Sequence, residues 1–245
     1  MTSEAVQTRI LGRTALITLH RPDKRNALNI DLCHQLRAAI EGATAEGIRS
    51  LVVTGEGSSF CSGADLDEVY DEAFREALYA TLDVLAARPF PVIAAINGPA
   101  IGAGTQLAIA ADFRMVAPSA RFSVPTARIG LAVDQWTIRR LSVLAGHPAA
   151  RRLLLACDQM DADTALRCGL ADRAGGQEAA LAWAAEMAEL APLTVAYSKR
   201  VLNRIVDTAA DPDLTSAFEA CWSSRDLQEA RQARTEGRPA RFEGA

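Results

Sequence analysis

Residues 92–112 read VIAAINGPAIGAGTQLAIAAD: a β-branched run, a turn with three glycines, and a short apolar segment of helical character. A strand handing over to a helix through a glycine turn is the unit of α/β folds. Working outward, 51–54 (LVVT) leads into the second glycine-containing turn, GEGSSFCSGADL (55–66), and 15–20 (ALITLH) is a further short strand. Between them, Leu32, Leu36, Ala39 and Ile40 share one face of a helix at about 30–45, and a second long helix is expected over 67–87. FRMVAP (113–118) reads as another strand. Alternating strands and helices argue a mostly parallel sheet. From Trp136 onward helices follow one another, at 136–145, 149–156, 161–168, 177–190, 192–207 and 213–234, interrupted by LADR (170–173). The expected organisation is an α/β core over 1–190 and a helical part over 191–245.

The 245 residues suit one large domain with an appendage, and 49% hydrophobic with 23% charged residues excludes a disordered chain. A net charge of −4 without long same-sign runs argues against nucleic acid or a polybasic membrane contact and favours small-molecule chemistry. Five irregularly spaced cysteines without CxxC, and a start without basic and apolar leader regions, read as a reduced, cytoplasmic protein. The most apolar stretch, 89–111, is broken by Asn97, glycines and Gln106, so no membrane span is expected. Only Lys24 and Lys199 are lysines among 26 basic residues, which suggests a GC-rich gene.

At each glycine turn the first amides of a helix lack intrahelical partners and the dipole is positive, so each is a potential anion site. A dinucleotide fingerprint fails because Leu107 stands where its third glycine belongs, and a P-loop fails for want of Gly-Lys-Ser/Thr. One such turn alone would be explained by tight chain reversal. Two suggest a pair of N–H donors converging on one carbonyl oxygen, the oxyanion hole that a thioester needs when it passes through an enolate.

RPDKRNALN (21–29), the GxGxxFCSGADL run and NGPAIGAGTQLAIAAD together resemble the crotonase family of enoyl-CoA hydratases and isomerases, over nearly the whole chain from Leu16. The resemblance implies an α/β spiral of repeated ββα units, then a C-terminal helical part packed on neighbouring subunits of a homotrimer or dimer of trimers. Leu202, Ile205, Val206, Leu214, Phe218 and Trp222 would supply that interface or part of the core. It also implies an acyl-CoA thioester as ligand, with coenzyme A part of the ligand and no separate cofactor or metal. The oxyanion amides would be those of Ala64 and Ala103. Arg25, Ala27 and Leu28 with Ala64, Asp65 and Leu66 would line the coenzyme A groove, and Lys24, Arg25 and Arg241 are candidate phosphate partners or solvated charges.

Catalysis is where the chain departs from that pattern. Family hydratases use two glutamates on one water; here Gln106 and Thr126 stand at those positions, and neither is a useful base at neutral pH. Asp134, in GLAVDQWTIRRL (130–141), falls where family isomerases and dehalogenases carry one acid. Beside Trp136 in an acyl pocket it would have a raised pKa, and it equally fits the N-cap of the next helix. His20, His34 and His147 show no metal-ligand spacing, no GxSxG elbow is present, and Cys61 reads as packing. NGPAIGAGxQLA with GLAxDxWxIRRLS resembles a mycobacterial homologue associated with delivering fatty acyl groups to mycolic-acid synthesis, so fatty-acid synthesis enzymes are candidate partners. Three activities are open: a binder of medium- or long-chain acyl-CoA with weak or absent hydration, an enoyl-CoA isomerase using Asp134, or a working hydratase in which Gln106 orients water.

Overall fold

A computed structural model describes residues 5–204 and 212–243. β1 (Val6–Leu11) and β2 (Thr14–Leu19) form an antiparallel hairpin, and β3 (Ser50–Gly55), β4 (Val92–Ile96), β6 (Phe113–Val116) and β9 (Arg173–Ala174) continue it in parallel, in the order β1-β2-β3-β4-β6-β9. Every residue of β3 and β4 is buried, as the apolar runs of a sheet covered on both faces require. The period of two decides which face each side chain serves. Leu51 and Val53 join the main core with α1 (Ile30–Ala45) and α2 (Glu72–Ala86). Val52, Ile93 and Ala95 turn the other way onto Ala180 and Ala184 of α6 (Gln177–Ala188).

A second sheet holds β5 (Pro99–Ile101), β7 (Arg121–Ser123) and β8 (Gln159–Asp161). It was not apparent in the sequence, since three-residue strands carry no periodicity. The short helix expected after the NGPAIGAG turn is α3 (Ala103–Ala110), and all its residues are buried. α1 occupies the expected span, started by the Asn29 side chain, which accepts from the Leu32 amide at 2.9 Å.

The helix expected from residue 67 begins only at Glu72, because the carbonyl of Asp65 captures the amides of Glu68 and Val69 in a turn. The helices expected at 136–145 and 149–156 are the two arms of α4 (Gln135–Leu155), broken at Gly146 with φ 76° and followed by Pro148. α5 (Ala162–Cys168) and α7 (Pro192–Arg204) follow their expected starts. The helix expected at 213–234 is two, α8 (Pro212–Ser223) and α9 (Arg225–Glu236), separated where the Ser224 hydroxyl accepts from the Leu227 amide and starts a new helix.

The C-terminal helices differ in what they cover. Leu227, Ala230 and Ala233 are buried against the same chain, and Leu227 packs with Val69 and Leu131. α7 differs: Leu193, Tyr197 and Leu202 are exposed. Ile205 and Val206 lie outside the described residues, as does the side chain of Leu214. No single helix among the described residues is long and apolar enough to cross a membrane.

Candidate functional site

The two glycine turns are stitched together by backbone. Cys61 and Ala100 form a parallel bridge in which the Cys61 amide donates to the Pro99 carbonyl at 3.1 Å and the Cys61 carbonyl accepts from the Ile101 amide at 3.0 Å. The approach is too close for side chains: a Cβ on Gly104 would stand 2.2 Å from the Cys61 carbonyl oxygen, and one on Gly63 2.9 Å from that of Ile101. Gly102, with φ 53° and ψ −116°, adopts a backbone that favours glycine and lets β5 turn into α3.

This apposition sets the direction of two amides. Ala64 bridges Leu28: the Leu28 amide donates to the Gly63 carbonyl at 2.8 Å, and the Asp65 amide donates to the Leu28 carbonyl at 2.6 Å. Successive amides of extended chain alternate in direction, so the Ala64 N–H points away from Leu28. Ala103 is the first residue of α3, and its N–H has no carbonyl within the helix to meet. Among the described residues neither amide donates to another backbone carbonyl, and both line one cavity of about 420 Å³.

Gln106 and Thr126 also line that cavity, and Leu66 does so from the first turn. Its walls are mostly apolar, with Phe74 and Leu78 from α2, Leu131, and Trp222 from α8, joined by Tyr79, Arg75 and Arg128. Arg75 ties α2 to α8: its guanidinium lies 5.4 Å from the Phe218 ring centre and 4.9 Å from that of Trp222, with Glu219 at 3.4 Å. No carboxylate, imidazole or thiol is among the described residues lining the cavity.

Asp134 stands one residue behind it. The Thr137 hydroxyl donates to the Asp134 carboxylate and accepts from Gln106 Nε2 at 2.9 Å. Burial pushes the Asp134 pKa up, opposed by the Thr137 hydroxyl and by the Thr137 and Trp136 amides, which face the carboxylate without closing a capping hydrogen bond. Trp136 is a correction to the sequence reading: it lines a different cavity, of about 870 Å³, with Arg140 and Lys199. Burial pushes the Cys61 thiol up to about 12, consistent with a packing role.

The 21–29 segment acts through its backbone. Asn26 is fully buried and its side chain holds the Glu56 and Ser59 carbonyls, each at 2.9 Å, while Ser62 is bound by the Arg25 carbonyl at 3.0 Å and the Lys24 carbonyl at 3.3 Å. The Lys24 and Arg25 side chains are exposed, and Ala27 and Leu28 are buried away from the cavity lining. Asp65 pairs with Arg21 at 3.2 Å. Arg241 is not brought to this group; its amide donates to Glu229 at 2.9 Å. Arg234 is the C-terminal cation that reaches the first turn, donating to the Leu66 carbonyl and pairing with Asp67 at 3.4 Å. Thr137, Arg75 and Arg234 were missed in the sequence because nothing in their spacing connects them to either turn.

The sequence profile described as Enoyl-CoA hydratase/isomerase matches residues 10–245. A Mycobacterium tuberculosis protein named probable enoyl-CoA hydratase echA6 is 47% identical over 233 residues, 94% of this chain and 95% of its own length. A Clostridium acetobutylicum short-chain-enoyl-CoA hydratase is 31% identical over 245 residues, 93% of each chain. The crystal structure of an enoyl-CoA hydratase/isomerase from Pseudoalteromonas atlantica superposes with a TM-score of 0.87 at 29% identity, covering 98% of this chain and 100% of that one.

Proposed function

The chain belongs to the enoyl-CoA hydratase/isomerase family, with the crotonase fold, and on that premise we propose that its cavity binds an acyl-CoA thioester without efficiently hydrating it. The thioester oxygen sits between the Ala64 and Ala103 amides, where the dipole of α3 favours developing negative charge. The apolar walls take the acyl chain.

One observation carries the reading: the described lining offers two unpartnered amides but no carboxylate, imidazole or thiol. A positioned general acid or base contributes about 10²- to 10⁴-fold, and the residues at both expected places, Gln106 and Thr126, supply none. Asp134 is not among the described lining residues, and its carboxylate is engaged by the Thr137 hydroxyl, which in turn binds Gln106. A binder of this kind serves fatty acid and lipid metabolism, presenting acyl groups to synthesis enzymes; mycolic acid assembly is the setting that the sequence resemblance suggests. The exposed apolar residues of α7 support a homotrimer or dimer of trimers.

The test is a side-by-side comparison. Calorimetry with a saturated acyl-CoA should show binding, and thioester absorbance should show little change with either a 2-enoyl-CoA or a 3-enoyl-CoA. Fast turnover of the 2-enoyl substrate overturns the proposal in favour of a hydratase. Reaction of the 3-enoyl substrate alone, stopped by Asp134→Asn, overturns it in favour of an isomerase.

A further inference from the structure

The cavity that takes Trp136, of about 870 Å³, shares no lining residue with the acyl site. The end of α2 with the residues after it, the first turns of α4, and α7 surround it. Its charge is one-sided: Arg88, Arg140, Lys199, Arg200 and Arg204 line it, against Asp83 alone. A chain of net charge −4 does not gather cations in this way by composition. Lys199 has a counter-ion, Asp112 at 2.7 Å. Among the described residues no carboxylate lies within ion-pairing distance of the four arginines.

Arg140 forms the built part of this cavity. It is 9% exposed, and its guanidinium donates to the carbonyls of Ile109 at 3.1 Å and Ala111 at 3.3 Å and to Asn203 Oδ1 at 3.4 Å. Asn203 in turn donates to the Ala86 carbonyl at 3.1 Å, which ties α7 to α2 and α4 around the cavity. These acceptors occupy three of the five N–H donors of a guanidinium and neutralise none of its charge. Burial pushes the Arg140 pKa down, opposed by the charges of Asp112 and Asp172. A buried charge without a paired counter-ion is costly, so an anion entering here relieves that cost. Trp136 is half-buried, packs on the main core and lines the cavity beside these cations, supplying a flat apolar wall.

We propose that this cavity is a second ligand site, which takes a nucleoside diphosphate with its phosphates on the arginines and its base against Trp136. Guanidinium forks match phosphate oxygens two at a time, and a nucleobase face stacks on an aromatic ring. The volume falls within the roughly 300–1,000 Å³ of small-molecule sites. A diphosphate carries several negative charges, which meets the positive excess that Asp83 and Asp112 leave uncompensated. The site stands independently of the acyl-CoA reading.

The experiment is calorimetry with ADP and with inorganic pyrophosphate on the wild type, Arg200→Ala, Arg204→Ala, Arg204→Lys and Trp136→Leu. Arg9→Ala on β1 and Trp222→Ala in the acyl cavity are the controls, and far-UV circular dichroism checks each fold. Arg200 and Arg204 are exposed and make no hydrogen bond or ion pair among the described residues, so their replacement spares the fold. The wild type should bind ADP about tenfold more tightly than pyrophosphate, the contribution of one stacked base. Arg200→Ala and Arg204→Ala should each weaken both ligands about 3- to 10-fold, with Arg204→Lys recovering part of the loss. Trp136→Leu should weaken ADP about tenfold and leave pyrophosphate unchanged. Neither control should alter ADP binding. Absence of ADP binding by the wild type overturns the proposal. So does ADP binding lost in Trp222→Ala and intact in the arginine variants, which places the nucleotide in the acyl cavity. Equal affinity for ADP and pyrophosphate, with Trp136→Leu harmless, overturns the assignment to a nucleotide.

Discussion

Cys61 and Ala100, one from each glycine turn, are joined as a parallel bridge, and this contact fixes the two turns face to face. Ala64 lies three residues beyond one partner and Ala103 three beyond the other, so the bridge aligns the amides assigned to the thioester oxygen.

Gly104→Ala tests that alignment. Its Cβ would meet the Cys61 carbonyl oxygen at 2.2 Å, and neither partner is a flexible side-chain end. The turns must separate, so acyl-CoA affinity should fall at least tenfold, with a stability loss of about 1–3 kcal/mol from the forced repacking. Calorimetry and urea unfolding measure the two effects.

Installing the missing acids should convert binding into turnover. With the oxyanion amides in place, Gln106→Glu together with Thr126→Glu puts two carboxyl groups into the cavity that both residues line. Hydration of a 2-enoyl-CoA, followed by thioester absorbance, should rise by about 10²-fold or more over the wild type.

Trp222→Ala should weaken saturated acyl-CoA binding about tenfold, since a large apolar wall and the stacking partner of Arg75 are lost together. The measurement is again a titration with saturated acyl-CoA. An unchanged affinity would remove α8 from the site.

Acid should disturb the hydrogen-bond chain from Asp134 through Thr137 to Gln106. Burial raises the Asp134 pKa, so the ionised form that directs Thr137 persists above that raised value and is lost as pH falls through it, at a higher pH than for an ordinary aspartate. Tyr79, whose hydroxyl faces the Asp134 backbone, has its own pKa raised chiefly by burial and stays neutral; Arg75 and Glu219 lie beyond it. The linkage has the opposite sign for folding: the folded chain binds this proton more tightly than the unfolded chain, so the group favours the folded state as pH falls. Urea unfolding across a pH series checks the direction: the wild type should gain stability relative to Asp134→Asn as pH falls, and no difference in slope between the two would contradict it.

Much of the core was legible because LVVT and VIAAI are apolar on both faces, which only a covered parallel sheet accommodates. The ends of helices were less so: the turn closed by Asp65 and the restart at Ser224 depend on single hydrogen bonds that periodicity does not register. In the site, Ala64, Ala103, Gln106 and Thr126 were placed by local motifs, and the cavity brings them together. Asp134 was found in the right neighbourhood, but its neighbours were not: Thr137 reaches Gln106 across 31 positions, a contact set by the packing of α3 against α4. Arg234, and not Arg241, meets the first turn because α9 folds back on its own chain.

The central claim concerns where one oxygen atom rests. A crystal structure with a saturated acyl-CoA bound should place the thioester oxygen at about 2.7–3.1 Å from both the Ala64 and Ala103 nitrogens, with no carboxylate contacting carbon 2 or carbon 3. A thioester oxygen bound elsewhere, or an acidic side chain against either carbon, would contradict it.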